Sequence, residues 1–156
     1  YDYIARTLRE WGVHVLDNTS VAIRRKNAHI NIIGIQDALF GLADLDAALK
    51  NVTHGIKILL AHTVFARRDK SLFHKIKQEK IDLVLSGHTH GLQINLLPIY
   101  MTGEGLFPKY LRGLHRVEDS HLYVSRGLGT SGLNLRLFSR PELTLIKLQN
   151  IGCETA

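Results

Sequence analysis

The sequence has few of the residues that cross-link or stiffen small domains. It contains one cysteine, Cys153, and three prolines among 156 residues, so an internal disulfide is excluded. No apolar run approaches the ~20 residues that a membrane-spanning helix needs. No signal peptide is visible, and because Tyr1 is not methionine we expect a cut or processed chain. With 45% apolar residues, the composition is that of one globular domain with a real core.

The chain also lacks a stretch in which basic and aromatic residues alternate, and we therefore expect no nucleic-acid partner. The net charge is nevertheless +6. This charge indicates either a solvated surface or an attraction for anions, such as phosphorylated substrates or anionic lipid headgroups. The basic residues fall into small groups: Arg24, Arg25 and Lys26; Arg67 and Arg68; and Lys75, Lys77 and Lys80.

The first third of the chain predicts helices and short strands. Apolar residues recur at helical spacing near the start, with Ile4, Leu8 and Trp11 on one face, and Gly12 ends that helix. Two alternating stretches joined by a polar turn then indicate a hairpin. The predicted elements are a helix over 3–11, a strand over 13–17, hairpin strands over 20–25 and 29–35, and a helix over 44–52.

The middle of the chain has the most regular pattern. Residues 56–62 form a continuous apolar run, which is typical of a strand buried on both faces. Residues 67–80 predict an amphipathic helix with Leu72 and Ile76 facing inward, and residues 81–88 predict a second buried strand. Strand, helix and strand within about 30 residues indicate a right-handed βαβ unit with parallel strands. The later elements are predicted as a loop-rich stretch over 99–120 and two neighbouring antiparallel strands within 120–129 and 142–149.

Three histidines follow the two strands of this βαβ unit. The first strand ends in His62, and the second continues into "GHTHG", which contains His88 and His90. Because parallel strands end at the same edge of a sheet, we expect the three imidazoles to converge there. Imidazole is the commonest side-chain ligand for metals such as Zn, Mn and Fe, and the flanking glycines permit a sharp turn. The pattern therefore predicts a metal site.

The alternative for any one of these histidines is a strand-end side chain that hydrogen-bonds to backbone. The bracketing glycines and the third histidine favour the metal. Asp37, after the apolar run 32–35, is either an acid that supports the site or a turn residue, and we favour the turn. We expect the other six histidines to be surface or core residues: His14, His29, His54, His74, His115 and His121.

Two stretches of this sequence resemble a known family. "ILLAH" (58–62) and "IDLVLSGHTHGLQI" (81–94) resemble the last two signature blocks of the calcineurin-like metallophosphoesterases. Residues 123–148 are similar to the tail of the YkuE/YaeI-like bacterial phosphodiesterase branch, and the UDP-2,3-diacylglucosamine hydrolases are similar too. The resemblance covers roughly residues 12–149. It implies an α/β fold, the C-terminal half of an αββα sandwich with mixed sheets flanked by helices.

By this resemblance, His62 and His88 bind one metal ion and His90 binds another, while no residue of this chain is the catalytic one. The cofactors implied are two divalent ions in the intact enzyme, Mn, Zn or Fe. The family's first three blocks, D-x-H, G-D-x-x-D and G-N-H, supply the remaining ligands and are not found upstream of His62. We therefore expect residues 1–156 to be the C-terminal part of a phosphoesterase domain whose N-terminal metal-binding half is absent. The chain also departs from the family at "HTVFAR" and at Leu92, where a second glycine is usual.

Two arginines in the glycine-rich late loops, Arg126 and Arg136, are candidate substrate-binding residues. They would touch a phosphate or a sugar, and the alternative is that they are surface arginines. The segment 106–116 mixes apolar and basic residues. It is predicted either to touch a lipid surface, to cap the site, or to be a plain loop packed on the sheet.

These observations support two hypotheses of different kinds. The first is a metal-dependent phosphoesterase, incomplete as this chain, that hydrolyses phosphodiester or pyrophosphate bonds with a hydroxide activated by two metal ions. The second is a degenerate, non-catalytic binding module that keeps the tail of the fold. Other metallohydrolases fit less well, because a metallo-β-lactamase-like site continues as H-x-H-x-D-H.

The phosphoesterase hypothesis also makes predictions about partners and location. It implies a phosphorylated small molecule, or a lipid or nucleotide-sugar substrate, in the bacterial cytoplasm or at the cytoplasmic membrane. A sheet edge left exposed by the absent half would favour a homodimer or association with a second chain.

Overall fold

The computed structural model describes residues 2–25, 28–40, 42–64, 71–94 and 110–149. Within these residues the chain folds as three helices, one turn of 3₁₀-helix and six strands. The elements are α1 (Asp2–Glu10), β1 (Thr19–Arg25), β2 (Ala28–Gly34), the 3₁₀ turn (Ala38–Phe40), α2 (Leu45–Leu49), β3 (Ile56–Leu60), α3 (Ser71–Gln78), β4 (Leu83–Ser86), β5 (Gly113–Val117) and β6 (Ser120–Val124).

The strands form one mixed sheet in the order β1-β2-β3-β4-β6-β5. The four central strands β2, β3, β4 and β6 run parallel, and the hairpin partners β1 and β5 close the two edges antiparallel. The predicted hairpin and the predicted βαβ unit are therefore confirmed. The polar turn between β1 and β2, the start of the predicted helix 67–80, and the first four residues of the segment 106–116 lie outside the described residues.

One face of the sheet carries the core. A row of fully buried side chains crosses four paired strands, from Ile33 to Leu59, Val84 and Leu122. Each such side chain stabilises the fold by about 1.5–3 kcal/mol when it leaves water. The helices cover this row with Leu45 and Ala48 of α2 and Phe73 and Ile76 of α3.

The opposite face of the sheet is apolar but only partly covered within the described residues. Side chains alternate along a strand, so Ile23, its paired neighbour Ile30, and Ile56 share this second face. Ile23 is 52% exposed and Ile56 is 45% exposed. The prediction that the strand over 56–62 is buried on both faces is therefore wrong for Ile56 and for Leu60, which is 40% exposed.

Helix α1 ends as predicted and presents a different face from the one expected. The amide of Val13 bonds to the carbonyl of Leu8 at 2.9 Å, and the amide of Gly12 bonds to the carbonyl of Arg9 at 2.9 Å. Gly12 has φ of +79°, so this is the glycine-dependent stop. However, Trp11 on the predicted inward face is 76% exposed, and the buried residue of the helix is Ala5.

Two predicted strands do not form. Residues 13–17 have no strand partner and run as an extended connection into β1. Residues 142–149 have no ladder either, because β6 is already paired with β4 on one side and with β5 on the other. Leu145 is consequently 95% exposed. The strand β5 occupies part of the stretch that was predicted as loop.

Within the described ranges, no helix is both long enough and apolar enough to cross a membrane.

Candidate functional site

The site lies where β3 and β4 end. These strands are parallel neighbours, with Leu60 paired to Leu85, so the residues that follow them emerge at one edge of the sheet. The rings of His62 and His88 meet there with their centroids 5.5 Å apart and their planes at 84°. The amide of Gly87 also bonds to the carbonyl of His62 at 3.0 Å. The prediction that these two imidazoles lie close together is confirmed.

The loop after β4 turns through an unusual backbone. His88, His90 and Leu92 all have positive φ, at 66°, 52° and 55°, as does Gly91. A residue with a Cβ loses roughly 1–2 kcal/mol in this conformation, so three of them in one short loop need support from outside it. Part of that support is the hydroxyl of Thr89, which donates to the carbonyl of Leu111 at 2.7 Å. The positive φ of Leu92 is a conformation that favours glycine, which is the residue expected there from the resemblance.

His90 is held by contacts from distant parts of the chain. Its ring Nδ1 lies 3.2 Å from Oε1 of Gln93. Its backbone carbonyl accepts hydrogen bonds from the Ser139 hydroxyl at 2.7 Å and from Nη1 of Arg136 at 3.3 Å. Ser139 was not identified from the sequence, since the contact between residues 90 and 139 spans 49 positions. Gln93 lies close to His90 in sequence and was not identified either, because its contact depends on how the two side chains are oriented.

The two arginines at this edge make contacts within the protein. The guanidinium of Arg136 donates to the carbonyls of Arg126 at 2.8 Å, Ser139 at 3.2 Å and Gly129, in addition to His90. Nε of Arg126 donates to the carboxylate of Glu142. Both arginines therefore lie beside the site and stabilise its loops. Their substrate-binding role stays a prediction.

Asp37 reaches the same edge from the end of β2. Its Oδ1 accepts a hydrogen bond from the amide of Leu39 at 3.0 Å, so the predicted turn role is confirmed. Its charge also acts on the imidazole of His88. The pKa of His88 is lowered by burial first and by the neighbouring His62 second, and Asp37 opposes this by favouring the protonated ring.

An open cavity of about 370 Å³ lies beside His62. His14, from the connection before β1, lines it together with Leu60 of β3 and Ser86 of β4. His14 was expected to be a surface or core residue with no companion. No periodic pattern marks it, because the extended segment that carries it is placed by tertiary packing.

The side-chain nitrogens at this edge are of the kind that binds a divalent transition metal, but they are too few for a complete site. His62, His88 and His90 offer imidazole nitrogens, and the lowered pKa of His88 favours the neutral ring that binds metal. Across the part of the chain that the structure describes, no three His, Cys, Asp or Glu side chains are grouped closely enough to hold an ion. The described residues thus present donors for a metal without a complete ligand set.

Glu142, in the segment 142–149, forms hydrogen bonds with residues at this edge of the sheet. We expect its contribution to stability to be lost at acid pH. Tyr123 and Thr144 donate to its carboxylate, as does Arg126. These hydrogen bonds, the one from Tyr123 foremost, lower the pKa of Glu142 against the opposing effect of burial. Because the folded pKa lies below the ordinary value of 4.5, the ionised carboxylate stabilises the fold above that pH, and the gain is lost as the pH falls through the folded value.

We expect Glu142→Gln to lower the free energy of unfolding by about 1.5 kcal/mol at neutral pH, the lower end of the range for hydrogen bonds to a charged group. The difference from wild type should shrink below pH 4.5. Urea denaturation across pH 3–7 measures it. Glu10→Gln removes a carboxylate from the exposed end of α1 and is the control. A difference between wild type and Glu142→Gln that is constant with pH would contradict the assignment.

Comparison with known proteins gives a consistent set of relatives. The chain is 32% identical over 147 residues to the uncharacterized metallophosphoesterase YkoQ of Bacillus subtilis, which covers 92% of this chain and 52% of the relative. It is 35% identical over 126 residues to the uncharacterized metallophosphoesterase YkuE of the same organism, covering 78% and 41%. It is 31% identical over 149 residues to the phosphodiesterase YaeI of Escherichia coli, covering 93% and 51%.

The chain spans about half the length of these curated relatives. No family model matches it, and no solved structure matches it significantly. Its six-stranded mixed sheet with flanking helices is consistent with the C-terminal half of a metallophosphoesterase fold. The chain belongs to the metallophosphoesterase family and corresponds to the C-terminal part of its curated members.

Proposed function

We propose that this chain is the histidine-donating half of a metal-dependent phosphoesterase that hydrolyses phosphodiester or pyrophosphate bonds. The observation that carries the proposal is the contact between the His62 and His88 rings at the ends of two parallel strands, with His90 two residues further on. The printed names of the relatives, metallophosphoesterase and phosphodiesterase, support the reaction class.

In this proposal His62 and His88 hold one divalent ion and His90 holds part of a second. Two such ions, Mn, Zn or Fe, would supply an activated hydroxide and would neutralise charge that develops on phosphorus. The chain's own residues orient the donors. His88 and His90 lie in the loop of positive φ that follows β4, and burial lowers the pKa of His88, which favours the neutral ring that binds metal.

The proposed substrate is a phosphorylated small molecule, a lipid or a nucleotide sugar. The net charge of +6 favours anionic substrates and surfaces. Arg126 and Arg136 border the site and would meet a phosphate if their present contacts loosen. We keep the bacterial cytoplasm or the cytoplasmic membrane as the proposed location, and a homodimer or second chain as the proposed partner of the uncovered sheet face.

A non-catalytic binding module is the second candidate. One observation favours it: the described residues hold no complete metal-ligand group. The apolar side chains on the second face of the sheet, such as Ile23 and Ile56, would then serve to bind another protein surface.

Turnover by the isolated chain tests whether it is incomplete. We expect weak or absent hydrolysis of bis-p-nitrophenyl phosphate in the presence of Mn²⁺, because the described residues contain no group of three His, Cys, Asp or Glu side chains that could hold an ion, and the proposed reaction needs two ions. Release of p-nitrophenol measures this, with a sample in excess chelator as the control. Robust Mn²⁺-dependent turnover by the 156 residues would contradict the proposed division of the site.

A further inference from the structure

The side-chain amide of Gln93 makes a complete set of hydrogen bonds. Its Nε2 donates to the carbonyl of Leu133 at 2.7 Å and to the carbonyl of Ser131 at 3.1 Å. Its Oε1 accepts the amide of Ser131 at 2.6 Å and faces Nδ1 of His90 at 3.2 Å. Two carbonyls on one end and a backbone N–H on the other leave only one orientation of the amide group.

This orientation decides which nitrogen of His90 carries the proton. An amide oxygen can only accept, so Nδ1 of His90 must be the donor in the contact with Oε1 of Gln93. In the neutral ring the lone pair then resides on Nε2. Among the described residues, Nε2 of His90 has no hydrogen-bond partner, so that lone pair is available.

The backbone of His90 is held by the same part of the chain, residues 131–139, that holds Gln93 against its ring. Ser139 and Arg136 bond to its carbonyl, and Gln93 reaches the loop at Ser131 and Leu133. The packing is close enough that a Cβ added at Gly91 would lie 2.6 Å from Cγ of Arg126 and 2.9 Å from the Ser139 hydroxyl. The position of the ring and its tautomer are therefore both set by the segment that follows β6.

We propose that Gln93 is a positioning residue that fixes His90 in the Nδ1-protonated tautomer and so presents Nε2 as a ligand for a divalent cation. This inference rests on the proposed function, in which His90 is a metal ligand. Histidine ligands usually donate their second ring nitrogen to a fixed acceptor, which sets the ring and strengthens the ligating nitrogen.

Nitrogen NMR of the metal-free full chain, labelled with ¹⁵N-histidine, reads the tautomer directly. At about pH 8, where free imidazole is neutral, we expect Nδ1 of His90 to show the protonated signature and Nε2 the unprotonated one. The signals are assigned by their loss in His90→Gln. In Gln93→Leu we expect them to move toward the Nε2-protonated form that free histidine favours.

Two further variants separate orientation from folding. Gln93→Glu keeps an acceptor for Nδ1 and should retain the wild-type tautomer, although it loses both donations to the loop. Arg136→Lys weakens the contact to the His90 carbonyl and leaves the ring acceptor in place, so it should also retain the tautomer. A wild-type His90 protonated on Nε2, or a Gln93→Leu spectrum identical to wild type, would overturn the proposal.

Titration with Zn²⁺ alone connects the tautomer to binding. We expect Gln93→Leu to weaken Zn²⁺ binding by about 10–100-fold, the range for residues that orient a metal ligand. An unchanged Zn²⁺ affinity in that variant would overturn the ligand-positioning role. If the wild-type chain binds no Zn²⁺ while the tautomer is as expected, the proposed function fails and the control of the tautomer by Gln93 stands.

Discussion

Replacing His88 by alanine is expected to weaken the binding of Zn²⁺ to this chain by about a hundredfold or more. Removing a ligand should cost at least as much as the 10–100-fold typical of removing a residue that orients one. His88 is central to the site because its ring meets that of His62 and its pKa responds to His62, His90 and Asp37. Isothermal titration of the purified chain with Zn²⁺ measures the affinity.

His74→Ala is the matched control for this experiment. His74 lies exposed on helix α3 and not in the loops that follow β3 and β4, so its removal should leave the affinity for Zn²⁺ unchanged. His90→Ala should behave like His88→Ala, with circular dichroism showing that each variant folds. Equal affinities in His88→Ala and His74→Ala would show that the strand-end histidines do not bind the metal.

Replacing Leu59 by alanine is expected to lower the free energy of unfolding by about 3 kcal/mol. Leu59 is fully buried at the centre of the sheet, where it is paired with Ile33 on one side and with Val84 on the other. The helices cover this face, so the structure can close only part of the cavity left behind. Urea denaturation, monitored by circular dichroism, measures the loss.

Leu145→Ala is the control, because it makes the same substitution at a side chain that is 95% exposed. We expect it to change the free energy of unfolding by less than about 0.5 kcal/mol. A loss comparable to that of Leu59→Ala would mean that residues 142–149 are packed in solution.

The parts of the fold that were predictable from the sequence are those with local patterns. The hairpin of β1 and β2 follows from alternation, and the βαβ unit follows from two apolar runs around an amphipathic helix. Because parallel strands end together, the same pattern also predicts that His62 lies beside His88, as it does in the structure.

The parts that failed depend on which strand edges and faces are covered. Residues 142–149 have the alternation of a strand, but both sides of β6 are taken by β4 and β5. Trp11 has the spacing of a core residue, but none of the described residues covers it, and it is 76% exposed. The contacts of His90 with Arg136 and Ser139 join residues 46 and 49 positions apart, and no sequence pattern marks such pairs.

The uncovered apolar face is consistent with the length of the chain. The sequence predicts a strand buried on both faces over 56–62, yet Ile56 and Leu60 are 45% and 40% exposed. The curated relatives are about twice as long as this chain. The uncovered face is therefore the surface on which a second chain, the proposed partner, would pack.

The most direct test of the metal site is X-ray absorption spectroscopy at the zinc edge on the Zn²⁺-loaded chain. We expect imidazole scattering, with nitrogen ligands at about 2.0–2.1 Å. That scattering should disappear when His62, His88 and His90 are all replaced by alanine. A spectrum of oxygen ligands alone, unchanged in the triple variant, would show that these histidines do not hold the metal.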